Sequence, residues 1–206
     1  MKLEFIEQSP RAPGLDRTLV LLHGFGADEH DLLPLAAELD ARLRVVSLQA
    51  PIALDFGGRA WFNLQQTPDG FAFDPHEVAE GVRIATGAVE QIAAESPRPI
   101  LCGFSQGAGM ALSVALMRPE LTPAVIVLSG VPARVERAPP ERLRGLRVFV
   151  AHGLYDPLIP VDIGRRTRDI LQSAGVDVTY REYPMGHMVI PAEIADARTW
   201  LAGSLP

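Results

Sequence analysis

Seven apolar runs recur along the chain: "LEFIE" at 3–7, "TLVLL" at 18–22, "LRVVSL" at 43–48, "PILCGF" at 99–104, "AVIVL" at 124–128, "LRVFVA" at 146–151 and "VDVTYREY" at 176–183. Most are continuous rather than alternating, the pattern of strands buried on both faces. Helix-like segments separate them. "DEHDLLPLAAELD" at 28–40 predicts a helix opened by Asp28 as N-cap, with Pro34 tolerated near its start. "PHEVAEGVRIATGAVEQIAAE" at 75–95 carries Val78, Val82, Ala85, Val89 and Ile92 close to a 3.6-residue period. "SQGAGMALSVALM" at 105–117 is rich in small residues and nearly all apolar, so it reads as a buried helix. "VDIGRRTRDILQSAG" stops at Gly175, a C′ glycine, and "PAEIADARTWLAGS" closes the chain. Strands alternating with helices predict an α/β fold, a mostly parallel central sheet with helices on both faces. The whole of 1–206 is expected to form one domain.

Composition narrows the picture. The chain has 206 residues, 48% hydrophobic and 21% charged, with a formal net charge of −6. That balance belongs to a globular protein and argues against a nucleic-acid or anionic-membrane partner, which would need a basic surface. Cys102 is the only cysteine, so no intramolecular disulfide can form, and its apolar run makes it a core residue. "MKLEFIEQSP" has no apolar leader, and no segment approaches a membrane span in length. A cytoplasmic location is the resulting expectation.

In parallel α/β sheets the chemistry sits at the carboxyl ends of the strands. Four ends carry polar residues: His23-Gly24-Phe25-Gly26, Ser105, His152-Gly153 ahead of Asp156, and His187 after Tyr183. Gly103-Phe104-Ser105-Gln106-Gly107 fits G-x-S-x-G, a tight strand-to-helix turn that lifts a hydroxyl above the sheet. Its glycines would leave room for neighbouring strands and the helix. Read alone, the same pentapeptide is also an N-cap serine in a glycine-rich turn.

A serine hydroxyl needs a base. The chain order for this arrangement is serine, acid, histidine, and only His152 and His187 follow Ser105. His152 ends a strand and precedes the best acid, whereas His187 lies in a loop able to reach back over the sheet. "VAHGLYDPLIPVD" offers Asp156 and Asp162. Asp156 lies in the turn itself, whereas Asp162 opens the next helix, where a carboxylate has a sufficient structural reason. The expected catalytic set is therefore Ser105, Asp156 and His187. An oxyanion needs two donors, assigned to the backbone N–H groups of Gln106 and of Phe25 in the glycine-rich "HGFG" turn. His23 is read as organising that turn. "HGFG" lacks the Lys-Ser/Thr of a phosphate loop, and no H-E-x-x-H or paired-cysteine spacing exists. No metal and no organic cofactor are expected.

"LLHGFGADEHDLLPLA", "GGRAWFNL" at 57–64, "GFSQGAGMAL", "LSG" at 128–130, "HGLYDPLIPV" and "MGH" at 185–187 run nearly the full length in one order. Together they resemble the carboxylesterase and acyl-protein thioesterase family of α/β-hydrolases, also called the phospholipase/carboxylesterase family. The resemblance implies the same triad and the same two oxyanion amides. It also implies a loop at 49–75 that walls an acyl site. The expected substrate contacts are Trp61, Phe62 and Phe71 in that loop, with Leu158 and Met188 beside the acid and base. By their chemistry alone Trp61 and Phe62 read as core residues anchoring that loop. Two departures stand out: Ala108 replaces the last glycine of "GFSQGG", and Asn63 replaces the aspartate of "AWFD".

The expected activity is hydrolysis of short- to medium-chain carboxylic esters, with thioesters and lysophospholipids as further substrates, through an acyl-serine. The partner is then a small-molecule ester or thioester; monomer and homodimer stay open. A dienelactone-hydrolase-like enzyme normally carries cysteine where Ser105 stands, and a non-catalytic hydrolase-fold binding module would usually lack a triad member. The stretch from Gly130 to Gly145 holds Pro132, Pro139 and Pro140 and is too short and proline-broken for a cap domain.

Overall fold

The computed structural model describes residues 3–67, 70–96, 98–130 and 137–203. Its elements in chain order are β1 (Phe5–Gln8), β2 (Thr18–Leu22), α1 (Leu33–Leu39), β3 (Arg44–Leu48), β4 (Ile52–Ala53), β5 (Arg59–Ala60), β6 (Gln65–Thr67), β7 (Gly70–Ala72), α2 (Pro75–Glu95), β8 (Ile100–Phe104), α3 (Gln106–Met117), β9 (Ala124–Leu128), α4 (Pro140–Leu143), β10 (Arg147–Gly153), α5 (Val161–Ser173), β11 (Asp177–Tyr183) and α6 (Pro191–Ala202).

Seven strands form one sheet in the order β1-β3-β2-β8-β9-β10-β11. Only β1 runs antiparallel to its neighbour; every other pair is parallel. The strand pleat feeds two cores. Val20, Leu22, Leu101, Val125, Val127, Val148 and Val150 face one side, with α2, α3 and Leu171 of α5. Leu19, Leu21, Ile100, Cys102, Ile126, Phe149 and Ala151 face the other, with α1 and α6. Apolar residues at consecutive positions are therefore used on both faces, and this is why the runs do not alternate. The α/β fold with helices on both faces follows directly. α3 lies between the sheet and α2, and every residue from Gln106 to Leu116 is buried.

Two local expectations need correction. The first helix starts at Leu33, not after Asp28, and Pro34 occupies its first turn. The Asp28 carboxylate instead accepts the His30 backbone N–H at 2.8 Å, a side-chain turn that competes with helix capping. The 49–75 stretch is not one plain loop. It contains the antiparallel ribbons β4–β5 and β6–β7, pieces of two and three residues that leave no periodicity to read.

Between β9 and β10 the described residues contain the single turn α4, whose Leu143 enters the core, and no cap domain. Residues 131–136, part of the stretch judged too short for a cap, lie outside the described residues, Pro132 among them. Among the described residues no helix is long and apolar enough to cross a membrane.

Candidate active site

β8 delivers Phe104 and Ser105 to the carboxyl edge of the sheet, and α3 begins at the next residue. Ser105 has φ 52° and ψ −118°, a left-handed backbone that non-glycine residues rarely adopt outside strained functional turns. The flanking glycines are required by close approach. A Cβ on Gly107 would lie 2.0 Å from the Leu22 carbonyl oxygen, and one on Gly103 would lie 2.5 Å from the Gly107 carbonyl. The N-cap reading of Ser105 fails, because its side chain makes no capping bond to the helix. The hydroxyl turns outward.

It meets His187. Ser105 Oγ lies 2.8 Å from His187 Nε2, and His187 Nδ1 lies 2.7 Å from Asp156 Oδ2. A carboxylate can only accept, so Nδ1 carries the proton and Nε2 is free to accept from the serine. The Asp156 carboxylate is itself fixed: Oδ1 accepts the Leu158 and Ile159 backbone N–H groups, each at 2.9 Å. Asp156 is buried, and the His187 ring packs on Phe104 with centroids 4.9 Å apart. Asp162, by contrast, lies in the first turn of α5 and pairs with Arg165 at 3.0 Å.

His152 lies under this group. It is fully buried; Nε2 sits 2.8 Å from the Ile159 carbonyl, which it donates to, and 3.7 Å from Asp156 Oδ2.

The turn after β2 lies against the elbow: a Cβ on Gly24 would come 3.5 Å from Ser105 Cβ. Gln106 N–H is the first of α3 and has no acceptor within the helix. Among the described residues neither it nor the Phe25 N–H has a protein acceptor. His23 holds the turn. Its Nδ1–H donates to the Gly24 carbonyl at 2.8 Å and its Nε2 accepts the Ala50 N–H at 3.1 Å. The bond from Ala50 requires a neutral ring, since only an unprotonated Nε2 can accept, and burial holds the imidazole below the ordinary histidine value against the opposing pull of the Gly24 carbonyl.

The expected substrate residues divide. Phe71, Leu158 and Met188 are exposed, and Phe62 is partly buried, edge-on to Phe73 at 5.8 Å. Trp61 is 1% exposed, and its indole N–H donates to the His23 carbonyl at 3.0 Å. It is buried, as its reading as a core residue anchoring the loop expected. Asn63, in the altered "AWFN", donates its backbone N–H to Glu77 at 3.0 Å. Among the described residues, Asp28, Glu29 and His30 could converge on a cation, but they form an exposed cluster in which Asp28 already accepts from His30.

The chain is similar to known proteins over nearly its full length. A profile of the phospholipase/carboxylesterase family matches residues 4–205. An acyl-protein thioesterase 1 from Gibberella zeae is 25% identical, covering 96% of this chain and 94% of that protein. Another from Mycosarcoma maydis is 29% identical over 92% of this chain and 91% of its own length. The crystal structure of a Bacillus cereus carboxylesterase superimposes with a TM-score of 0.85 at 23% identity, over 98% of this chain and 95% of that one; it shares the fold.

Proposed function

Because this chain belongs to the phospholipase/carboxylesterase family, and is with it a carboxylic ester hydrolase, we propose that it cleaves short- to medium-chain esters and thioesters through an acyl-serine on Ser105. The observation that carries the proposal is the chain of hydrogen bonds Asp156–His187–Ser105, ending in a hydroxyl held at a left-handed turn. In the first half-reaction Ser105 Oγ attacks the carbonyl carbon and its proton passes to His187 Nε2. Asp156 holds the ring in the needed tautomer and stabilises the imidazolium. The Phe25 and Gln106 amides receive the oxyanion. His187 then returns the proton to the leaving alcohol or thiol as the tetrahedral adduct collapses to the acyl-serine. Water attacks next, losing its proton to His187, and the collapse that follows restores Ser105 and releases the acid.

The substrate range is supported by the rim. Leu154, Tyr155 and Leu158 flank Asp156, Met188 adjoins His187, and Phe71 and Phe73 stand on and beside β7, all exposed. Such a surface can take an apolar acyl group of modest length without enclosing it. Turnover of p-nitrophenyl acetate, abolished by a fluorophosphonate serine probe, is the expected result. Turnover that survives full labelling by the probe would refute the serine mechanism.

A further inference from the structure

The residue after the nucleophile does more in the structure than offer a backbone amide. The Gln106 side chain is 7% exposed and reaches across to a segment some forty-five positions earlier. Its Oε1 accepts the Trp61 backbone N–H at 2.8 Å, and its Nε2 donates to the Phe62 carbonyl at 2.8 Å. The orientation of the amide is forced, since an N–H faces one end and a C=O the other. Only glutamine's pairing of an acceptor and a donor at that reach fits both.

The segment it holds also touches the other proposed oxyanion donor. Two residues before Trp61, Arg59 pairs with the turn that carries Phe25: Gly26 N–H donates to the Arg59 carbonyl at 2.9 Å, and Arg59 N–H to the Ala27 carbonyl at 2.7 Å. Gly58, at φ +74°, lets the two backbones meet; a Cβ there would fall 2.0 Å from the Gly26 oxygen. The Trp61 indole adds a tie to the His23 carbonyl at 3.0 Å. Phe25 and Gln106 are thus joined by one strip, Gly58–Phe62, fastened to the first at one end and to the second at the other.

We propose that the Gln106 side chain is a positioning residue for the oxyanion hole: by clamping Trp61 and Phe62 it sets, through this strip, where the Phe25 N–H stands relative to the Gln106 N–H. The proposal rests on the acyl-serine reading above. It differs from a packing role in what it moves. A loosened clamp displaces one donor from the developing oxyanion and leaves the Ser105–His187–Asp156 hydrogen bonds and the rim in place. The loss therefore falls on the transition state and on anything that imitates it.

The test compares wild type, Gln106→Leu and Gln106→Glu. Leucine removes both bonds; glutamate keeps the size and one acceptor but, ionised, cannot donate to Phe62. Steady-state kinetics on p-nitrophenyl acetate, per active site titrated with a fluorophosphonate, are read beside inhibition by phenylboronic acid, whose serine adduct is tetrahedral and places an oxygen in the hole. Deleting a donor outright costs ~10²–10³ in kcat, so a displaced donor should cost about 10–100-fold. We expect that loss in kcat/KM for both variants, with a parallel rise in the boronate inhibition constant. Variants within twofold of wild type per titrated site, or a kinetic loss with unchanged boronate affinity, would overturn the positioning role alone. A wild type that neither turns over the ester nor takes up the probe would overturn the acyl-serine reading, and this inference with it.

Discussion

Asp156 and Asp162 stand in one short stretch and do opposite things. Asp156 is buried, fixed by two backbone N–H groups and bonded to His187. Asp162 is exposed and pairs with Arg165. Asp156→Asn should therefore lower kcat by up to ~10⁴, the scale seen when a triad acid is neutralised and the histidine tautomer is lost. Asp162→Asn should leave kcat near wild type. Side-by-side kinetics with the reverse ranking would show the acid to be misassigned. The placements of the two aspartates, one in a turn and one at a helix start, were legible in the sequence. The bonds of Gln106 to Trp61 and Phe62 were not. Nothing local to "FSQG" reveals where an amide side chain points when its partners lie in another element. Trp61 carried both a core and a substrate-contact reading for the same reason: an aromatic in a loop near a site has the same sequence signature whether it faces the substrate or lies beneath it.

At the scale of elements, α6 carries the most unusual charge. Glu193 sits in its first turn, fully buried, with one oxygen accepting the Ile190 N–H at 3.4 Å and the other unpartnered among the described residues. Burial pushes its carboxyl up to about 8, against the weaker opposing pull of that N–H. In the unfolded chain the group should ionise near the ordinary value of about 4.3. Between those two values the folded state binds the extra proton, so this residue makes stability fall as pH rises through the window. Glu193→Gln cannot titrate and keeps an oxygen for the Ile190 N–H. Its Tm should gain on that of wild type as pH goes from about 5 to about 8, as followed by thermal denaturation. A difference that stays constant across that range would contradict a protonated Glu193. The helices themselves were readable where the 3.6 period was long, as in α2. The start of α1 was not, because an aspartate that caps a helix and one that closes a local turn look alike until its acceptor bond is seen.

At the scale of the molecule, the order β1-β3-β2-β8-β9-β10-β11 gathers residues from four strand ends onto one edge of the sheet. The elbow follows β8, the turn of Phe25 follows β2, Asp156 follows β10 and His187 follows β11. Strands buried on both faces made this architecture legible, since their apolar runs are continuous and their polar residues fall at the ends. The ribbons β4–β5 and β6–β7 were invisible because pieces of two and three residues carry no pattern. Among the described residues there is no cap domain, so tributyrin hydrolysis should rise smoothly with concentration and show no jump at the solubility limit. A sharp increase once droplets form would reveal a cover over the site. The central claim is that Ser105 forms the covalent bond, and it is tested most directly by mass spectrometry of the protein inactivated with a fluorophosphonate. One probe per chain, on Ser105, with loss of activity in proportion to labelling and no uptake by Ser105→Ala, is the expected result. Stoichiometric inactivation with Ser105 unmodified, or esterase turnover retained by Ser105→Ala, would contradict it.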